Sequence, residues 1–250
     1  MTFELWFIYL VMSLASRIQM EIERFPEDYT FRYADLPITK AEYATAAKAL
    51  ERLQAKGYIK KLSKGIFYKP VQSVFGELAP SDEEVLRDYL FENGNRVAYI
   101  TGVYLYNQMM LTTQVPSTWK IAAYNKRIFV KRGKVKASPV KSYVPVTEKN
   151  YQLLGFLDAL KDWNRIPDLD KKQGVEVLSN RLKLYSNKEI ELLEEIAFAY
   201  PPRVIAFLGA LLEYLPTNRN LKSLKENLNP LTEYQLGISF LPTAKNWNIV

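Results

Sequence analysis

The stretch KKLSKGIFYKP, residues 60 to 70, sets Lys60, Lys61, Lys64 and Lys69 around one glycine and a run of apolar and aromatic side chains. Ammonium groups at that density are suited to neutralising a polyanion and releasing its condensed counterions. Just upstream, Lys48 and Arg52 stand four residues apart, so a helix would place both on one face, with Lys40 near its start. The residue types for other chemistry are missing. The chain has no histidine and no cysteine, which removes the commonest general base, imidazole and thiolate metal ligands, and every Ser-His or Cys-His pair. Disulfides are excluded too, in keeping with a reducing compartment. None of the ten glycines belongs to a Gly-x-Gly dinucleotide loop, a lysine-bearing phosphate loop or a nucleophile elbow. The best nuclease-like run, PDLDKKQGVEVL, offers Asp168, Asp170 and Glu176 but has Leu178 where a metal-dependent nuclease wants lysine. We assign no catalytic residue, no metal ligand and no cofactor, and expect no enzyme.

Charge is unevenly placed along the 250 residues, whose net charge is +7. Residues 38 to 74 hold eight basic and two acidic groups, and residues 119 to 149 hold nine and one, whereas residues 1 to 37 and 75 to 118 are net acidic. A merely solvated surface usually interleaves both signs, so the two segments point to a nucleic-acid partner.

The elements that must position these cations are marked by their ends. MSLASRIQMEIERF puts Leu14, Ile18, Ile22 and Phe25 on one helical face. TFRYADLPI reads as a short strand or turn followed by the first half of a helix-turn-helix. TKAEYATAAKALERLQAKG opens on Thr39 with Glu42 three residues later, a capping box, and stops at Gly57. Its spacing buries Ala46, Ala49, Leu50 and Leu53 and turns Lys40, Lys48 and Arg52 outward. Beyond Gly57, YIKKL and IFYKP flank SKG as the arms of a hairpin, with Ile66 and Tyr68 expected to face inward and the lysines outward. Helix, short helix, helix and basic hairpin is the order of a winged helix-turn-helix. An ordinary helix-plus-hairpin unit with a solvated lysine face fits the same residues.

The expected fold is therefore α+β. An N-terminal winged helix-turn-helix over residues 1–74 precedes a mixed, mainly helical C-terminal region over residues 75–250 that carries a basic β-ribbon. PSDEEVLRDYLFENG reads as a helix capped at Ser81, with Glu84 completing a capping box, and ending at Gly94. Thr101, Asn107, Thr113 and Gln114 gather beside glycine and proline turns, either as a ligand- or partner-facing loop or as polar groups tying the turns to their neighbours. Residues 119 to 141 contain eight basic residues and no acid. They read as a ribbon turning at Arg132-Gly133, with Lys126, Arg127, Lys131, Arg132, Lys134 and Lys136 able to meet DNA, RNA or an acidic protein. VIAFLGALLEYL is too short to span a bilayer and reads as a core helix. The apolar run LWFIYLVMSLA is also too short, and Glu4 stands where a signal peptide wants a cation, so we expect a cytoplasmic protein with no membrane partner. Residues 1–11 are either an upstream extension or part of a longer first helix.

Several of these stretches resemble the AbiEi antitoxins of type IV toxin–antitoxin systems, a bacterial winged-helix family. The resemblance rests on Leu50, Arg52 and Leu53; on Gly65, Ile66, Phe67 and Tyr68; on Thr101, Gly102 and Asn107; on Leu111 through Pro116; and on NPLTEYQLGI, Asn229 to Ile238. Met109-Met110 departs from it, because the family pattern has a glycine before the leucine. The resemblance implies a DNA-binding antitoxin and transcriptional autoregulator of an abortive-infection operon. Its partners would be double-stranded DNA with inverted repeats in its own promoter and a cognate nucleotidyltransferase toxin, opposed without a stable complex. The absence of any Gly-Ser dipeptide sets this chain apart from such a toxin. Two other readings remain. One is a winged-helix transcription regulator without a toxin, its C-terminal region sensing a ligand or dimerising. The other is an RNA-binding module using the 119–141 ribbon.

Overall fold

In the computed structural model, which describes residues 12–74, 76–132, 134–217 and 219–250, capping chemistry starts the first two helices. The expected N-terminal extension and the turn glycine Gly133 lie outside the described residues. The chain forms two compact units: Met1–Asp88 with Arg132–Val135, and Tyr89–Lys131 with Lys136–Val250. The first unit thus runs past the expected boundary at residue 74.

In the first unit, the Ser13 hydroxyl accepts from the Ser16 amide and opens helix α1, Leu14–Arg24, which buries Ile18 and Ile22. Strand β1, Thr30–Arg32, follows. The Thr39–Glu42 capping box forms, but it caps a single 3-10 turn over Lys40–Glu42 before helix α2 proper, Tyr43–Ala55. The predicted quartet Ala46, Ala49, Leu50 and Leu53 is buried, and Gly57 ends the helix at φ +76°. Strands β2, Lys60–Ser63, and β3, Ile66–Tyr68, make the hairpin, and β1 joins it in the order β1-β3-β2.

The inward residue of β3 differs from the expectation. Phe67, not the Ile66–Tyr68 pair, faces the core, where its ring lies 5.8 Å from that of Phe31. Adjacent strand residues point to opposite faces, so pairing with β1 fixes the parity: Phe31 sits opposite Phe67. Ile66 is buried outside that core cluster and Tyr68 is half-buried.

Two short strands follow, β4, Val71–Ser73, and β5, Gly76–Leu78, and then helix α3, Asp82–Leu90. Ser81 Oγ accepts from the Glu84 amide at 3.2 Å, but the Glu84 carboxylate does not return to the cap. It accepts instead from the amide and hydroxyl of Thr30, at 2.9 and 3.0 Å, tying α3 to β1. Nor does α3 reach Gly94. It stops at Leu90, and β6, Phe91–Glu92, and β7, Asn95–Arg96, form a minute hairpin. Asn93 and Gly94 both have positive φ, 49° and 78°, the conformation a two-residue Asn-Gly hairpin turn requires.

A four-stranded sheet follows, whose strands lie in the second unit except for Arg132 and Val135, which group with the first. Strand β8, Ala98–Thr101, is followed by helix α4, Val103–Gln108, and by β9, Trp119–Ala123, β10, Val130–Arg132, and β11, Val135–Lys141, in the order β10-β11-β9-β8. The segment expected as one exposed ribbon is therefore split. Strand β9 is an interior strand, antiparallel to β8 and parallel to β11, with Ile121, Ala122 and Ala123 buried; β10 and β11 are neighbours at the other edge of the sheet. Helices α5 (Tyr151–Lys161), α6 (Lys171–Leu184), α7 (Asn187–Ala197), α8 (Pro202–Tyr214) and α9 (Lys222–Glu226) complete the unit. As expected of a core helix, α8 is buried continuously from Val204 to Leu212. Gly209 on α8 lets Trp247 lie flush against the helix, since a Cβ there would stand 2.2 Å from the indole ring. No helix among the described residues is long and apolar enough to cross a membrane.

At the centre of this core is a carboxylate. Asp158 on α5 has no exposed surface. Its Oδ2 accepts from the hydroxyls of Tyr99 and Thr101, at 2.9 and 2.7 Å, and its Oδ1 from Lys161 Nζ at 2.7 Å and Tyr200 at 3.4 Å. Burial, and then the Asp158 charge, push the Tyr99 and Tyr200 hydroxyls well above their usual range. Burial works against the Lys161 ammonium, but attraction and hydrogen bonding to Asp158 carry its pKa up. The ion is fully ligated by the protein, the condition under which a buried charge is tolerated.

Candidate nucleic-acid interface

Helix α2 presents two faces of opposite character. One packs its apolar quartet into a small core with Ile18, Ile22, Phe31, Ile59 and Phe67. The other leaves Lys48 and Arg52 exposed, with small residues Ala44 and Thr45 exposed on the first turns. Neither cation makes an ion pair with any described residue, and the same holds for Lys40. Small side chains between cations allow close approach of a groove edge, and Glu51 is the one acid interposed.

The start of the helix is held rigidly. Glu42 accepts from the Thr39 amide and hydroxyl at 2.8 and 2.9 Å and from Arg17 at 2.8 Å. These bonds, the Thr39 amide first, hold its carboxyl below the usual carboxylate range. The rings of Tyr33 and Tyr43 stack at 4.4 Å. Burial, with Tyr43 and Glu51 nearby, raises the Tyr33 phenol.

The hairpin sorts its lysines into two kinds. Lys61 and Lys64 are exposed and pair with no described residue, and Gly65 between the strands turns at φ +74°. Lys60 is committed to an ion pair with Glu77 on β5. Lys69 donates to the carbonyl oxygens of Glu23 and Phe25 at the end of α1, 3.4 and 3.5 Å away, where a cation complements the helix dipole. Five of the seven cations assigned to DNA in the first unit thus remain available: Lys40, Lys48, Arg52, Lys61 and Lys64.

The second basic segment is sorted likewise. Lys126 pairs with Glu92. Arg132 reaches the Asp88 carboxylate at 3.5 Å, an acid it shares with Arg32. Arg127, Lys131, Lys134 and Lys136 are exposed. Of the polar group, Thr101 is consumed by Asp158, Asn107 donates to the Thr112 carbonyl at 3.2 Å, and Gln114 donates to Asp168 at 2.9 Å. Thr113 is exposed. The four do not converge on one point; three of them tie turns to their neighbours. Among the described residues no group of three or more acids could hold a metal ion.

The first unit and the leading part of the second also match a known family. Residues 18–160, more than half of the chain, fit the model of DUF6088, a family of unknown function. The chain belongs to the DUF6088 family. Among solved structures, this DUF6088 protein is similar to the RV2827C protein from Mycobacterium tuberculosis, with a TM-score of 0.54 and 13% identity over 89% of this chain and 84% of that one. That likeness concerns the fold alone. No curated protein matches the chain.

Sequence reasoning missed the groups that fix these cations in place. Asp88, which gathers Arg32 and Arg132, and Glu77, which takes Lys60, lie in the acidic segment between the two basic ones. The sign alternation along the chain was the available signal.

Proposed function

We propose that this DUF6088 protein is a DNA-binding autoregulator whose first unit works as a winged helix-turn-helix, and that it serves as the antitoxin to a nucleotidyltransferase toxin encoded beside it. One observation carries the DNA-binding reading: Lys48 and Arg52 stand exposed and unpaired with described residues on the outer face of α2, while Lys61 and Lys64 do so on the hairpin that follows. Helix α2 would enter the major groove, where a guanidinium or ammonium reads guanine edges, and the hairpin would ride on phosphates. The antitoxin half rests on the resemblance carried by Thr101-Gly102, Leu111 through Pro116 and Asn229 through Ile238.

A gel-shift titration with the protein's own promoter, paired with co-expression of the neighbouring reading frame, tests both halves. Operator binding with protection from the neighbour supports the proposal. Binding without protection assigns the protein instead to a regulator without a toxin, and failure to bind its promoter removes the DNA-binding reading.

A further inference from the structure

The run that leads into β10 alternates in exposure. Arg127, Phe129 and Lys131 are exposed, whereas Ile128 and Val130 between them are buried. That is the alternation of extended chain, whose successive side chains point to opposite sides. The three outward residues therefore form one row, neighbours in it about 6.5 Å apart. All three belong to the second unit, and β10 is an edge strand of its sheet. Phe129 is 69% exposed. A lone exposed ring needs no explanation, but this one stands between two cations.

The row continues into a concavity. Beyond the ends of β9 and β11 lies a hollow of about 510 Å³, lined by Arg127 together with Lys141, Tyr124, Asn125 and Pro139. Arg127, Lys131 and Lys141 are exposed and pair with no described acid. Lys126 also lines the hollow and is the cation there that an acid holds, Glu92. Tyr124 is 41% exposed, and neither its hydroxyl nor the Asn125 amide bonds to a described residue.

These features select among polyanions. An acidic protein would use the cations and leave the Phe129 ring idle. A duplex keeps its bases stacked inside and offers the ring nothing. A single strand can place phosphates on the cations and stack a base on the ring, and the spacing along the row is of the order of one nucleotide of a stretched strand. The Tyr124 hydroxyl and the Asn125 amide can each donate and accept, the pairing a ribose 2′-hydroxyl requires.

We infer that this edge of the second unit binds single-stranded RNA, with phosphates on Arg127, Lys131 and Lys141, a base on Phe129, and 2′-hydroxyls met by Tyr124 and Asn125. RNA binding here does not rest on DNA binding by the first unit.

The test is a fluorescence-anisotropy titration of the full chain with an unstructured oligoribonucleotide of about twelve nucleotides. The deoxy oligonucleotide of the same sequence and a duplex RNA serve as separate probes. The single-stranded RNA is expected to bind saturably and more tightly than either. Phe129→Ala should weaken that binding by on the order of 10-fold to 100-fold, the loss of one base stack, with operator affinity and Tm unchanged. Arg127→Gln with Lys131→Gln should make the slope of log affinity against log salt shallower by roughly 0.7 for each phosphate interaction removed. Asn125→Ala should narrow the preference for RNA over its deoxy counterpart. Lys48→Ala with Arg52→Ala should leave RNA affinity at the wild-type value, so failure here is distinguishable from failure of the DNA-binding proposal. The inference is overturned if the RNA does not saturate at low salt, if Phe129→Ala binds it as the wild type does, or if the deoxy strand or the duplex binds as tightly. Loss of RNA binding in the Lys48→Ala, Arg52→Ala variant would likewise overturn it, because the first unit would then be the binder.

Discussion

The unpaired surface cations of the first unit and the buried carboxylate of the second put charge to opposite uses. The first keeps Lys40, Lys48, Arg52, Lys61 and Lys64 at its surface with no described acid to hold them. The second places Asp158 at 0% exposure and surrounds it with three hydroxyls and an ammonium. An unpaired surface cation contributes little to the folded state and is available to a partner, whereas a ligated interior anion is architecture, costly to disturb and closed to binding. Counting charges along the chain cannot separate the two uses; the separation depends on what each group touches.

Removing the interior anion should have the largest effect. Asp158→Ala strands Lys161 and the hydroxyls of Tyr99, Thr101 and Tyr200, and should cost about 3–5 kcal/mol of stability in urea denaturation. A loss below about 1 kcal/mol would remove the network from the account of the second core. Replacing Lys48 and Arg52 by alanine should do the reverse. Stability should move by no more than about 0.5 kcal/mol, while operator affinity falls by about 1–3 kcal/mol for each base or phosphate interaction removed. Unchanged affinity in a folded double variant would take α2 out of the interface.

The hairpin lies between these extremes. Nothing stands within 4 Å of a Cβ built at Gly65, so the penalty of Gly65→Val comes from its φ of +74° and not from collision. That strain is about 1–2 kcal/mol, measurable by thermal denaturation, and it should reach DNA affinity only through a distorted turn. The smallest effect concerns Glu42. Its folded pKa is held below the unfolded value of 4.5. The stability it contributes is therefore complete above that value and lost as pH falls through the lower folded pKa. As pH falls below 4.5 and through the lower folded pKa, the wild type should lose more stability than Glu42→Gln; equal losses would mean the capping box is not what lowers the carboxyl.

Much of the first unit is legible in sequence because its signals are local. Thr39, Glu42 and Gly57 mark α2 over less than twenty residues, and the apolar spacing between them is unambiguous. Partners far along the chain are not legible. Lys60 finds Glu77, and Lys69 finds the end of α1, through folding alone. The parity of β3 is ambiguous because KLSKGIFY reads equally well with either face inward until β1 pairs with it. The Asn-Gly turn at Asn93-Gly94 is a hairpin signal that the helical run before it outweighs. Asp158 sits in GFLDALK, where a carboxylate amid apolar residues, three before a lysine, is visible. Its other ligands come from 42 to 59 residues away. Met110 holds φ at 61°, a left-handed backbone that nothing in its apolar side chain announces.

The central claim, that the unpaired cations of the first unit meet DNA phosphates, is tested most directly by a salt titration of operator and scrambled DNA with the wild type and with Lys61→Gln, Lys64→Gln. Each phosphate interaction removed should make the slope of log affinity against log salt shallower by roughly 0.9, with both DNAs weakened equally. An unchanged slope, or a weakening confined to the operator, would contradict it.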